Sequence, residues 1–172
     1  MEKNSIKYLL VDGNNLLHSS YHVAQKLSGR MPQGTIFFFL RVLISLLKKN
    51  HYQKLLIFFD GGGTNFRKSI LPAYKAQRPS MPSELIEQME KIKELLTKTD
   101  LFYLQLVNCE ADDLIASFIS QRGQCLEKQK TTSGVSQNPQ FDIFSRDKDL
   151  LQLLSPEINI LKYIEGKITS YN

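Results

Sequence analysis

Four short apolar runs in this chain each end in acid. Lys7-Tyr8-Leu9-Leu10-Val11 stops at Asp12, and Leu55-Leu56-Ile57-Phe58-Phe59 stops at Asp60. Phe102-Tyr103-Leu104-Gln105-Leu106-Val107 leads through Asn108 and Cys109 to Glu110-Ala111-Asp112-Asp113. Phe141-Asp142-Ile143-Phe144 leads through Ser145 and Arg146 to Asp147-Lys148-Asp149. Runs of about five Leu, β-branched and aromatic residues read as strands covered on both faces, as in a parallel sheet. Ligands of such sheets bind outside the carboxyl ends of the strands. If the four strands are parallel neighbours, seven carboxylates converge on one edge. Like charges that close raise one another's pKa and are costly unless cations neutralise them. A divalent-metal site is the simplest solution, and oxygen-only ligands select Mg²⁺ or Mn²⁺ over softer ions.

The spacing between these runs predicts a doubly wound α/β domain. Strands are expected at about 6–11, 54–59, 102–107, 141–144 and 158–163, with a last strand over 167–171 after a Glu165-Gly166 turn. Helices are expected from near Asn14, over 35–49, over 110–128 and, briefly, from Asp147. Ser83 is placed as the cap of an amphipathic helix reaching Lys98, with Leu85, Ile86, Met89, Ile92, Leu95 and Leu96 on one face. Residues 61–82 are dense in Gly, Arg, Lys and Pro and read as a loop, and 130–140 as a polar, mobile stretch.

At 172 residues the chain suits one domain with a real core. It contains no stretch of eighteen apolar residues, because Arg41 and Ser45 interrupt the longest, at 36–47. With no signal-peptide pattern and only two cysteines, it reads as soluble and cytoplasmic, with no membrane partner. The net charge is +5, but its distribution is uneven. Outside the seven clustered acids, ten acids face twenty-two basic residues. A basic surface around an acidic hole suits a polyanion gripped by the rim.

Each motif also has a purely structural reading. Asp12-Gly13-Asn14-Asn15 fits a helix-capping turn, and Asp60-Gly61-Gly62-Gly63 a flexible one, since it lacks the ending of a phosphate-binding loop. Acids at 110–113 and 147–149 suit the first turn of a helix. His18 and His22, four apart, lack a third zinc ligand at matching spacing. In the basic stretch after Phe66-Arg67-Lys68, Lys75 and Arg78 are one helical turn apart, and Tyr74 offers a stacking face to a base. A solvated basic linker is the alternative there.

Six motifs taken in order resemble one family: Val11-Asp12-Gly13-Asn14-Asn15, Phe58-Phe59-Asp60, Phe66-Arg67, Tyr74-Lys75-Ala76-Gln77-Arg78-Pro79, Glu110-Ala111-Asp112-Asp113 and Asp147-Lys148-Asp149-Leu150-Leu151-Gln152-Leu153. It is the 5′-3′ exonuclease and flap endonuclease family, as in the nuclease domain at the N-terminus of bacterial DNA polymerase I. The resemblance implies a PIN-like (resolvase-like) α/β fold over 1–172, with a mainly parallel sheet and a basic helical arch at about 61–82. It implies two divalent ions, Mg²⁺ with Mn²⁺ as substitute. Asp12, Asp60 and Asp112 would serve the first, Glu110, Asp147 and Asp149 the second, and Asp113 would support the cluster. Lys75 and Arg78 would act on the scissile phosphate, with Arg67, Lys68 and Tyr74 also on nucleic acid. The implied substrates are DNA 5′ ends, flaps and junctions, and RNA primers, in replication and repair.

Two departures follow from the same resemblance. The family continues into a helix–three-turn–helix module that is expected to be absent here, so that a partner chain would have to supply it. Arg146 stands where the family usually has Gly. A non-enzymatic, truncated nucleic-acid-binding relative is therefore an alternative expectation, and a PIN-type single-strand ribonuclease is another.

Overall fold

The computed structural model describes residues 5–27, 33–63, 67, 70–71, 73–75, 77, 79–133, 139–164 and 167–171, with backbone alone for 123–133. Six strands form one sheet: β1 (Lys7–Asp12), β2 (Lys54–Phe59), β3 (Tyr103–Gln105), β4 (Gln140–Phe144), β5 (Ile158–Ile164) and β6 (Lys167–Tyr171). Their order is β3-β2-β1-β4-β5-β6. All neighbours pair in parallel except β5 and β6, which form the antiparallel edge. The sheet is flanked by helices α1 (Gly13–Lys26), α2 (Gly34–Lys49), α3 (Ser83–Lys98) and α4 (Ala111–Ser133) and by a 3₁₀ turn, Asp149–Leu153.

The apolar runs serve two cores at once because successive side chains of a strand point to opposite faces. On β1, Leu9 and Val11 join the core beneath α1, α2 and α3, while Tyr8 and Leu10 join the core beneath α4. β2 divides likewise, with Ile57 and Phe59 on one side and Phe58 on the other. That double burial is what makes these strands read as unbroken apolar runs rather than alternating ones. The four runs that end beside acid are adjacent and parallel, as the sequence predicts.

Chain direction across the sheet fixes where a ligand can sit. The chain moves outward from β1 to β2 and β3, then returns to place β4 on the other side of β1. The strand order therefore switches between β1 and β4, and crevices form at the carboxyl ends of strands at such a switch. Asp12 is the last residue of β1 and the N-cap of α1.

Several local expectations differ from what is found. Ser83 opens α3 as its first helical residue; Pro82 precedes it and provides no side-chain cap. On α3, Leu85, Ile92 and Leu96 are buried, but Ile86 and Leu95 face outward at 44% and 38% exposure, so the apolar stripe is narrower than expected. β3 is three residues long, and Leu106 and Val107 are exposed in the turn that follows. α4 continues to Ser133, through the start of the stretch read as polar and mobile. No described helix is long and apolar enough to cross a membrane.

Candidate metal and nucleic-acid site

Asp12 satisfies its capping role and still presents a carboxylate to the crevice. Its Oδ1 accepts the Asn15 N–H at 2.9 Å, the local bond expected of an N-cap. Its Oδ2 accepts the Ser145 hydroxyl at 2.8 Å, reaching across the switch point to the end of β4. Burial pushes the Asp12 carboxyl up to about 6, the two hydrogen bonds oppose that rise, and the charges of Asp60 and Asp147 add to it. Asp12 is thus both the helix cap that the motif suggests and a wall of the acidic crevice.

Asp60 is fixed by its neighbours in space. Asn14 clamps it twice, donating its side-chain amide to Asp60 Oδ2 at 3.1 Å and accepting the Asp60 N–H at 2.9 Å. Asp60 Oδ1 accepts the Ala111 N–H at 2.8 Å, so the end of β2 is tied to the first turn of α4. Gly61 makes that approach possible. A Cβ on Gly61 would lie 1.7 Å from the Leu106 carbonyl oxygen, and the Gly61 N–H donates to the Cys109 carbonyl at 2.8 Å. This turn is therefore a close-packed joint, not the flexible loop its composition suggests.

Glu110, Asp112 and Asp113 bring ligand oxygens within 4.8 Å of one another at the start of α4. Burial first, then the Asp113 charge, raises the Asp112 carboxyl. Asp12, Asp60, Glu110, Asp112 and Asp147 line one cavity of about 160 Å³, together with Asn14, His18 and Lys75. Asp113 and Asp149 open instead on an adjoining cavity of about 400 Å³, where Asp112 also appears. The seven acids thus lie at one sheet edge, in two connected groups that share Asp112. Asp147 and Asp149 are exposed; the Asp147 N–H donates to Ser145 Oγ, and the Asp149 N–H to Asp147 Oδ1, both at 3.0 Å.

The basic segment folds onto these acids. Arg67 donates to both carboxylate oxygens of Asp113, at 2.5 and 2.7 Å, and to Glu110 at 3.0 Å. Lys75 reaches Glu110 Oε1 at 2.5 Å, and the Tyr74 hydroxyl donates to Oε2 of the same side chain at 3.2 Å. Lys75 adopts a φ of 54°, unusual for a residue with a side chain. Hydrogen bonds to Asp113 hold the Arg67 guanidinium well above its ordinary value. Burial alone would lower Lys75, but its contacts with Glu110 and Tyr74 outweigh that and raise it. Both cations also lie near the Tyr74 ring, Lys75 at 5.1 Å and Arg67 at 6.0 Å from its centroid. Lys68 and Arg78, the other predicted contacts, lie outside the described residues.

Sequence reasoning missed the residues that orient the acids: Asn14, Ser145 and, as a carboxylate partner, Arg67. Asn14 and Asn15 stood in the quoted motif, and Ser145 stood between strand and acids. Their roles depend on pairings across 46 and 133 positions, for which the sequence offers no periodic signal.

Known proteins resemble this chain in sequence and in fold. The family model described as 5′-3′ exonuclease, N-terminal resolvase-like domain, matches residues 7–172. The 5′-3′ exonuclease of Buchnera aphidicola subsp. Schizaphis graminum is 31% identical over 166 residues, covering 93% of this chain and 53% of that protein. That of Mycoplasmopsis pulmonis is 35% identical over 156 residues, covering 91% and 48%. DNA polymerase I of Borreliella burgdorferi is 34% identical over 157 residues, covering 89% of this chain but 16% of the polymerase. The chain spans about half the length of the curated exonucleases it matches. Among solved structures, bacteriophage T5 5′-exonuclease with bound zinc ions superposes with a TM-score of 0.63 at 22% identity, over 95% of this chain and 57% of that one. A T5 flap endonuclease in complex with DNA and metal ions gives 0.63 at 19%, over 94% and 57%. At such identities the likeness is one of fold, and it bears out the PIN-like architecture.

Proposed function

The chain belongs to the 5′-3′ exonuclease family, through its N-terminal resolvase-like domain, and on that premise we propose that it carries the acidic centre of a metal-dependent 5′ nuclease acting on DNA. One observation supports this most: Asp12, Asp60 and Asp147, from the ends of β1, β2 and β4, and Glu110 and Asp112, at the start of α4, surround a single cavity with the Lys75 ammonium in its wall. The donor set fits hard divalent cations, since its charged ligands are all carboxylates, and burial first, with neighbouring carboxylates adding to it, raises Asp12 and Asp112. Asp12, Asp60 and Asp112 would hold one Mg²⁺, and Glu110, Asp147 and Asp149 a second, with Asp113 supporting them. Such ions, when bound, lower the pKa of an attacking water and stabilise the leaving oxygen of a phosphodiester.

The chain's own residues supply the rest. Asn14 and Ser145 keep the Asp60 and Asp12 carboxylates turned into the cavity. Lys75 is within reach of the same acids, so a phosphate bound there would meet its ammonium as negative charge develops. Tyr74 would offer its ring to a nucleotide, and Arg67, Lys68 and Arg78 would extend the basic surface. DNA 5′ ends, flaps and junctions are the proposed substrates, with RNA primers as a further class and a cytoplasmic site of action.

In Mg²⁺ or Mn²⁺ the chain is expected to cleave 5′-flapped DNA, with loss of cleavage in chelator and on Asp60→Ala. Lys75→Ala should slow single-turnover cleavage by about 100-fold while changing DNA affinity only modestly, as for a group acting in the transition state. The exposure of Asp147 and Asp149 favours one second reading. In it the chain binds nucleic acid without cutting it until a partner chain completes the site. DNA binding with no metal-dependent cleavage would decide for that reading.

A further inference from the structure

A cavity of about 390 Å³ opens between α1, α2 and the ends of β4 and β5, and it shares no lining residue with the acid pocket. The two are neighbours along the chain, since Asn15 faces the acids and Leu16 this second space. Leu16 and Phe144 form a buried apolar floor, and Phe38 and Tyr163 contribute aromatic walls. Arg146 lines this cavity rather than the acid pocket, and so does Arg41. Both are exposed, and among the described residues neither guanidinium pairs with a carboxylate. Ser20, 3% exposed, also lines the space, and its Oγ has no hydrogen-bond partner among the described residues.

Each feature narrows the occupant. Two guanidinium groups present forked donors that match a phosphate or carboxylate and disfavour a cation. Aromatic walls suit a flat ring system. A buried hydroxyl without a partner is disfavoured by a purely apolar guest and satisfied by one with a polar edge. The volume lies near the low end of the range for small-molecule sites, about 300–1,000 Å³, which suits one nucleotide and excludes a docked helix. We propose that this cavity binds a nucleoside monophosphate unit, with its phosphate on Arg41 and Arg146, its base between Phe38 and Tyr163, and a polar edge on Ser20. The unit is either a free mononucleotide or a single nucleotide of a bound strand.

Calorimetry in chelator on the full chain tests this, using dAMP, deoxyadenosine and inorganic phosphate as probes. dAMP should bind saturably, and each half-ligand about tenfold more weakly or worse. Arg146→Ala and Arg41→Ala should each weaken dAMP by about tenfold or more, with Arg146→Lys intermediate. Ser20→Ala should weaken dAMP several-fold while leaving the unliganded Tm unchanged or higher, because it deletes an unpartnered hydroxyl. Asp60→Ala, which disables the acid pocket, should leave dAMP binding intact, so this proposal can fail or hold independently of nuclease activity. Displacement of dAMP by an oligonucleotide carrying one unpaired nucleotide assigns the unit to a strand, and lack of displacement assigns it to free nucleotide. Absence of saturable binding up to about 5 mM, or binding insensitive to both arginine substitutions, overturns the proposal.

Discussion

Burial makes the Asp12 carboxyl a weaker acid in the folded chain, at about 6 against an ordinary 3.8. Between those values the folded state binds a proton that the unfolded chain has already lost. Stability of the metal-free protein should therefore fall as pH rises through that interval, by about 3 kcal/mol from this group alone. Asp12→Asn keeps a capping oxygen but cannot titrate, so its urea-unfolding free energy in chelator should vary less between pH 4 and pH 6 than that of the unaltered chain. Equal slopes in the two proteins would contradict the assignment. Asp142 is the contrasting case, a buried carboxylate with no part in the site. It is 1% exposed and meets Lys7 at 3.0 Å, Tyr52 at 2.6 Å, Asn159 at 2.9 Å and Asn50 at 3.3 Å. Removing it by Asp142→Ala strands an ammonium and three polar groups, which should cost about 3–5 kcal/mol in denaturant unfolding. Mn²⁺ affinity measured on the folded fraction should stay unchanged; if it falls, Asp142 also shapes the metal pocket.

At the scale of elements, sequence and structure agree where burial dictates pattern and part where distant contacts decide. Strands β1, β2 and β4 were legible because each is covered on both faces and so reads as an apolar run, whereas β3, at the sheet edge, is shorter than its apolar run. The last strand was legible from its own residues and pairs antiparallel with β5, while the expected Glu165-Gly166 turn lies outside the described residues. Asp142 was not, since a single acid inside such a run gives no hint of partners lying 17 to 135 positions away. The tight Gly61 joint was hidden as well, because three consecutive glycines read as looseness unless the facing carbonyl is known. The basic segment is the clearest contrast: its composition suggested a surface for nucleic acid, yet Arg67, Tyr74 and Lys75 grip Glu110 and Asp113. Without metal, these cations neutralise acids that would otherwise repel one another. A divalent ion must compete with them, so Arg67→Ala should raise Mn²⁺ affinity about three- to tenfold by calorimetry, in line with a partly exposed ion pair strengthened by charged hydrogen bonds. An unchanged or lower affinity would mean that Arg67 orients Asp113 for the metal instead of competing with it.

Across the whole molecule basic residues outnumber acids, and under the proposed function that excess and the acidic edge would act on DNA with opposite sign. Twenty-two Lys and Arg side chains against seventeen acids leave +5, but the acids at the carboxyl edge of β1, β2 and β4 concentrate repulsion where a phosphate would have to sit. Phosphate contacts made by the rim release counterions, and each lowers the slope of log affinity against log salt by about 0.9 for duplex DNA. Acids in the crevice do not add such contacts; they oppose close approach. The double change Asp60→Asn with Asp112→Asn should therefore strengthen DNA binding in chelator several-fold while leaving the salt slope nearly unaltered. Adding Mn²⁺ should strengthen binding by the unaltered chain and have much less effect on the double variant, because its neutralising role has already been filled. Fluorescence anisotropy with a labelled 5′-flapped duplex over a salt series reads all three quantities. If the double variant binds no better in chelator, or if its salt slope falls by a full contact, the acids are not the barrier to DNA at this edge, and the charge separation between rim and crevice has no bearing on how a strand is admitted.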